Sequence, residues 1–205
     1  MNLKYTINRF WSFLKEDNWQ SWLVSIILVV IIIKFIFFPI LSLVTGSPLP
    51  LVVVESCSMY HDSSFNDWWS KNSALYEKEN ITKEKFSSFS LKNGFNKGDI
   101  VFIWGYSKYK RGDIITFNTN KEATARYPII HRIISINPIG TKGDNNQIQF
   151  SLNLPSDVNP QRIDESSISE DRILGKALFK IPLLGWIKLI FFEPLRNSNS
   201  RGFCK

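Results

Sequence analysis

Residues 22–44 constrain this chain more than anything else in it. Nineteen of these side chains are strongly apolar, and only Ser25, Lys34, Pro39 and Ser42 interrupt them. A run of this length can cross the ~30 Å hydrocarbon layer of a bilayer, whereas the apolar part of a cleaved signal peptide usually spans about 7–15 residues. The single Lys34 does not veto insertion. Each Leu, Ile, Phe or Val favours it by about 0.3–0.6 kcal/mol, against a cost of roughly 3 kcal/mol for one central lysine. A retained anchor is therefore expected over residues 19–45. Its helix should run from Trp19 to Phe38, where Pro39 disfavours continuation and Lys34 can snorkel outward. Trp19 and Trp22 would mark the inner interface. Lys4, Arg9 and Lys15 precede the run, which places the N-terminus in the cytoplasm and the rest of the chain outside. Leu3, Ile7, Phe10 and Leu14 recur at helical spacing, so residues 1–18 form an amphipathic, interfacial lead-in.

The remaining chain is long enough for one sizeable core. Of 205 residues 44% are hydrophobic, which excludes wholesale disorder. The net charge of +7 is spread among interspersed acids, with no basic stripe of the kind that binds nucleic acid. Cys57 and Cys204 are too few for a disulfide framework, and with two histidines they offer no zinc-ligand spacing. Neither a metal nor an organic cofactor is called for. Cys57 looks like a small packing residue, and Cys204 lies in a polar tail, residues 193–205, whose Asn197, Ser198, Asn199 and Ser200 suggest disorder.

Runs rich in β-branched and aromatic residues at 51–55, 100–106, 114–118, 129–136, 147–150 and 172–181 predict strands, so residues 46–192 should form a mainly β domain. Lys97-Gly98-Asp99 and Arg111-Gly112-Asp113 open directly onto strands, as turn-forming glycines do. Lys142-Gly143-Asp144 runs into Asn145-Asn146 instead, which implies other work for its aspartate. Residues 62–95 are a polar, partly helical insertion. Its large aromatics, among them Trp68, Trp69 and Tyr76, could face a membrane surface or cover the β core, and composition does not choose. Residues 181–192 are too short and interrupted for a second span, and suit an interfacial or core-packed segment.

Ser56-Cys57-Ser58-Met59 follows the first strand, Ile130-His131-Arg132 sits in a later one, and Lys142-Gly143-Asp144-Asn145-Asn146 comes after that. With Gly-Asp-Ile-Val at 98, Gly-Asp-Ile-Ile at 112 and Ile-Leu-Gly-Lys-Ala at 173, this order resembles the signal peptidase I family. The similarity is to its archaeal and endoplasmic-reticulum type, in which histidine replaces the bacterial catalytic lysine. It covers most of residues 20–190. It implies a signal-peptidase-like β catalytic domain on one N-terminal transmembrane helix, and a serine endopeptidase that removes signal peptides from exported precursors.

A serine hydroxyl is a poor nucleophile until a neighbouring base takes its proton. Ser58 is the candidate nucleophile and His131 the preferred base. His61, three residues after Ser58, is the rival base, and Tyr60 and His61 depart from the residues that usually follow Ser-Met in the family. The Ser58 backbone N–H and the Ser56 hydroxyl are the candidate oxyanion donors, the latter by analogy with bacterial relatives. Asp144 is the leading carboxylate to orient His131. The family's second aspartate is absent, since position 150 is Phe150, and Asp164 or Glu165 could supply the missing acid.

The partners implied are signal-peptide-bearing precursors, the lipid bilayer and the protein-export channel, in a cell or endoplasmic-reticulum membrane with the catalytic domain on the outer or lumenal face. Substrate would pair as a strand near residues 51–55 and 128–132. Two other classes compete: a catalytically inactive β-domain binding or assembly module, and a soluble Ser-Lys self-cleaving repressor. The second needs a lysine where His131 stands and no anchor.

Overall fold

The computed structural model describes residues 3–125, 127–196 and 198–205. The chain forms two compact units, Met1–Val44 and Thr45–Lys205. In the first, helix α1 (Leu3–Leu14) is followed by α2 (Trp19–Ile32), capped by Asn18, whose side chain accepts a hydrogen bond from the Ser21 N–H. Helix α2 does not stop before Pro39. It passes through a π-helical turn, Ile33–Phe37, into α3 (Phe38–Thr45), giving one apolar helix over Trp19–Thr45. In this wider turn the Phe38 N–H reaches back to Ile33 O, which gives the proline ring room against the preceding carbonyls. Lys34 therefore lies within the helix and not in its last turn. At 1.5 Å per residue these 27 residues extend about 40 Å, enough by length and composition to cross a membrane.

The second unit is built on a six-stranded antiparallel sheet in the order β1-β2-β6-β3-β4-β5. The strands are β1 (Leu51–Val53), β2 (Ile100–Trp104), β3 (Ile114–Phe117), β4 (Ile129–Ile136), β5 (Ile139–Lys142) and β6 (Ile173–Ile181). The mainly β expectation is borne out, with two differences. Residues 147–150 are not a strand; the Phe150 carbonyl instead accepts from the Glu165 N–H, and the Phe150 N–H faces the Glu165 carboxylate, both in the irregular segment around Glu165. The segment Ile139–Lys142 is a strand too short, and too poor in apolar residues, to stand out by pattern. Gly98 and Gly112 adopt φ of +90° and +92°, and Asp99 and Asp113 each accept a backbone N–H three residues earlier in the same turn. These turns open β2 and β3 but close no hairpin, because β1 and β2 are joined through the insertion and β6 lies between β2 and β3.

The insertion folds as α4 (Phe65–Lys78) and α5 (Lys83–Ser87), with Ser64 and Thr82 as N-caps. Their apolar side chains settle the question composition left open. Trp68, Trp69, Tyr76, Ile81 and Phe86 are buried in one cluster with Ile134 of β4, so the insertion covers the sheet. A second cluster, with Val54, Met59, Phe95, Val101 and Ile103, lies behind the turn that carries Ser58.

The C-terminal region is ordered where it is described, contrary to expectation; Asn197 lies outside the described residues. Helix α6 (Trp186–Phe192) leads into Glu193, whose carboxylate meets the buried Lys97 ammonium at 2.8 Å. Lys97 also donates to Ser200 O, and Phe203 packs on Trp186. These contacts bring Cys204 to Cys57, Cα to Cα 5.6 Å, and the two form a disulfide. Cys57 is thus a cross-link and not a packing residue. A pairing across 147 residues leaves no local trace in the sequence.

Candidate active site

Strand β4 places two basic residues side by side, and because neighbouring strand residues point to opposite faces, His131 and Arg132 address different surroundings. On one face Ser58, in a turn after β1, lies with Oγ 2.8 Å from His131 Nε2. Ser56 Oγ is 3.2 Å from Ser58 Oγ. The other imidazole nitrogen, Nδ1, donates to Glu165 Oε1. Glu165 is completely buried and firmly held. The Thr141 hydroxyl donates to Oε1 at 3.1 Å, the Phe150 N–H approaches Oε2 at 3.3 Å, and the Glu165 backbone pairs with Thr141 and Phe150.

On the opposite face Arg132 is fully buried, and its guanidinium makes a two-pronged pair with Asp144 at 2.9 and 2.7 Å. Its remaining N–H groups donate to the carbonyls of Ser90, Leu91 and Gly112. Asp144 also accepts from the Tyr76 hydroxyl at 2.8 Å and from His61 Nε2 at 3.0 Å. Burial alone would raise the Asp144 carboxyl, but Arg132 and His61 outweigh it and hold the group well below the usual carboxylate range. The carboxylate against His131 is thus Glu165, and Asp144 belongs to the neighbouring ionic network. His61, stacked on Trp68 at 3.7 Å between ring centres, belongs to that network as well. The Asp164 carboxylate instead accepts from the Ser166 N–H and hydroxyl.

The loop after β5 closes over the nucleophile. A Cβ on Gly143 would come within 2.7 Å of Ser58 O and 2.8 Å of His131 Nε2, so this backbone needs glycine to pass. Lys142 is buried beneath the loop. Burial pushes its ammonium down to about 8, and Nζ donates to the carbonyls of Gly143 and Asp144. Neither Lys142 nor Asn145 stands out in the sequence as a functional residue. Among the described residues no group of three or more His, Cys, Asp and Glu side chains is arranged to hold a metal ion.

Ser58 and His131 open onto a cleft of about 550 Å³. Strand β1 forms one wall and pairs only with β2, among the described residues. The start of β4, Ile129 to His131, contributes to the other wall; it pairs with β3, while β5 joins β4 only from Arg132 onward. Each wall therefore presents a main-chain edge to the cleft.

An antiparallel β domain with a serine, a histidine and a buried carboxylate in line at the base of a cleft, on a chain with one long apolar helix, has the construction of a membrane-anchored serine hydrolase. Its relatives narrow that class. The chain is 26% identical over 115 residues to the signal peptidase complex catalytic subunit of Sclerotinia sclerotiorum, 25% over 168 residues to that of Eremothecium gossypii and 24% over 153 residues to that of Komagataella phaffii. These matches cover 52%, 78% and 70% of this chain, and 61%, 75% and 84% of the respective relatives. No protein-family model matches the chain. The resemblance to signal peptidases drawn from the order of motifs is borne out.

Proposed function

We propose that this chain is a membrane-anchored serine endopeptidase that removes N-terminal signal peptides from exported precursor proteins. The observation that carries the reading is the line Ser58–His131–Glu165, with Ser58 Oγ 2.8 Å from Nε2 and a carboxylate on Nδ1. Ser58 Oγ attacks the scissile carbonyl carbon while its proton passes to His131 Nε2. Glu165 keeps the proton on Nδ1, so that Nε2 is free to accept, and balances the imidazolium that forms. The carbonyl oxygen becomes an oxyanion, met by the Ser58 backbone N–H and the Ser56 hydroxyl. Collapse of this intermediate breaks the C–N bond, and His131 returns its proton to the departing amine. Water then attacks the acyl-enzyme by the same route and releases the signal peptide's carboxylate.

The two main-chain edges, unpaired by a further strand among the described residues, suit a substrate laid as an extended strand between them. Residues 19–45 act as the anchor and 46–192 as the catalytic domain, with the N-terminus cytoplasmic and the catalytic domain on the outer or lumenal side. The Cys57–Cys204 disulfide supports that side, since such bonds persist in oxidising compartments. Protease added to sealed vesicles whose non-cytoplasmic face is outward should then cut the β domain; protection there, with digestion from the cytoplasmic face, would invert the topology. The catalysis itself is tested by Ser58→Ala and His131→Ala. Each should abolish precursor processing while the protein still inserts and folds, and processing retained by a folded variant of either residue would refute the assignment.

A further inference from the structure

The peptide unit joining Cys57 to Ser58 is trans and planar, so its C=O and its N–H point in opposite directions. Whatever grips the Cys57 carbonyl therefore aims the Ser58 N–H. Two donors do so. The Tyr60 N–H, at 3.1 Å, belongs to the same turn and moves with it. The second donor is the side-chain amide of Asn145, Nδ2, also at 3.1 Å, which comes from the loop after β5. The Asn145 backbone N–H holds the next carbonyl, Ser58 O, at 2.8 Å. Strand β5 pairs with β4, Arg132 opposite Lys142, so Asn145 ties the turn to the sheet that carries His131.

We propose that Asn145 is a positioning residue of the oxyanion hole. By holding the Cys57 carbonyl it orients the Ser58 N–H toward the developing negative charge and keeps that donor in register with His131. The proposal rests on Ser58 being the nucleophile. It predicts an effect on the transition state and not on substrate binding. Full loss of an oxyanion donor costs about 10²–10³ in kcat; with Tyr60 still holding the carbonyl, Asn145→Ala should lower kcat roughly tenfold. Asn145→Asp keeps the shape but sets a second oxygen against Cys57 O, and should lower kcat further.

The test measures kcat and KM on a precursor-derived peptide for wild type, Asn145→Ala, Asn145→Asp and Ser58→Ala. It adds inhibition by the matching peptide aldehyde, whose tetrahedral Ser58 adduct needs the hole. Because the backbone hydrogen bond of residue 145 survives in both variants, the fold should hold, and the melting temperature checks it. The expected result is a near-constant KM, kcat falling in the order Asn, Ala, Asp, and aldehyde affinity falling in parallel with kcat. Wild-type kcat in either folded variant, or a raised KM with kcat intact, overturns the proposal while leaving an inactive Ser58→Ala to support the site. A wild type that does not cleave, or a Ser58→Ala variant that does, overturns the reading of the site and this proposal with it.

Discussion

Replacing Glu165 by glutamine swaps one oxygen for an NH2 group without changing size. Its outcome follows from the three donors that converge on the carboxylate. Oε1 receives His131 Nδ1–H and the Thr141 hydroxyl, and Oε2 faces the Phe150 N–H at 3.3 Å. If the glutamine placed its NH2 at the Oε2 position, two donors would oppose each other there. The opposite orientation keeps an oxygen for Phe150 and turns the NH2 toward His131 and Thr141. It is satisfied only if His131 moves its proton to Nε2, the nitrogen that must be free to take the proton of Ser58. The hydrogen bonds preserved are thus those that disarm the base. Loss of a triad carboxylate through the wrong tautomer costs on the order of 10⁴ in kcat. Glu165→Gln should reach that range with KM little changed. Its melting temperature should stay near wild type, because the backbone pairing of residue 165 with Thr141 and Phe150 remains. Steady-state cleavage of a precursor-derived peptide in detergent, with circular dichroism alongside, measures both quantities. A folded Glu165→Gln variant with kcat within roughly threefold of wild type would refute the tautomer argument.

Asp144→Asn should show the reverse pattern, mainly lost stability, because it leaves Arg132 charged and unpaired in the core at a cost of about 3–5 kcal/mol; an unchanged denaturation midpoint would contradict this. The same pair sets an acid limit. The depressed Asp144 carboxyl contributes stability that is fully present above its unfolded value, about pH 4, and is lost as pH falls from there through the folded value. Lys142, with its ammonium pushed down to about 8, gives a slope of the same sign at alkaline pH: between about pH 8 and 10 the unfolded chain holds the extra proton, so the penalty of its buried charge is relieved, stability should rise with pH, and this rise should vanish in Lys142→Met. Cys204→Ser removes a cross-link closing a long loop and should cost about 2–4 kcal/mol, read as a lower melting temperature matched by wild type under reductant; no shift in either would contradict the bridge.

Much of this architecture is legible in the sequence because local pattern and tertiary role agree. The β-branched run at Ile129–Ile136 is a strand with the expected bounds, and the basic-Gly-Asp turns behave as turns. Ser58 and His131 stand out only through the joint order of several short motifs, since neither a serine in a turn nor a histidine in a strand is distinctive alone. The acid is hidden for a geometric reason. Proximity to the Gly-Asp-Asn-Asn motif favours Asp144, but Arg132, on the face opposite His131, claims that carboxylate, and the acid that reaches His131 comes from an irregular segment with no periodicity. One signal was nevertheless available: two basic residues at consecutive positions of a predicted strand point to opposite faces and so cannot share one acid. The helix through Pro39 and the Cys57–Cys204 bridge stay hidden for other reasons. One depends on a local change of helical hydrogen bonding and the other on docking of the chain's end.

The most direct test of the central claim is to incubate the detergent-solubilised protein, beside its Ser58→Ala variant, with a signal-peptide-bearing precursor and to sequence the N-terminus of the product. The account predicts one new N-terminus in the wild-type reaction and none with Ser58→Ala. An intact precursor in both reactions, or the same cut made by Ser58→Ala, would contradict it.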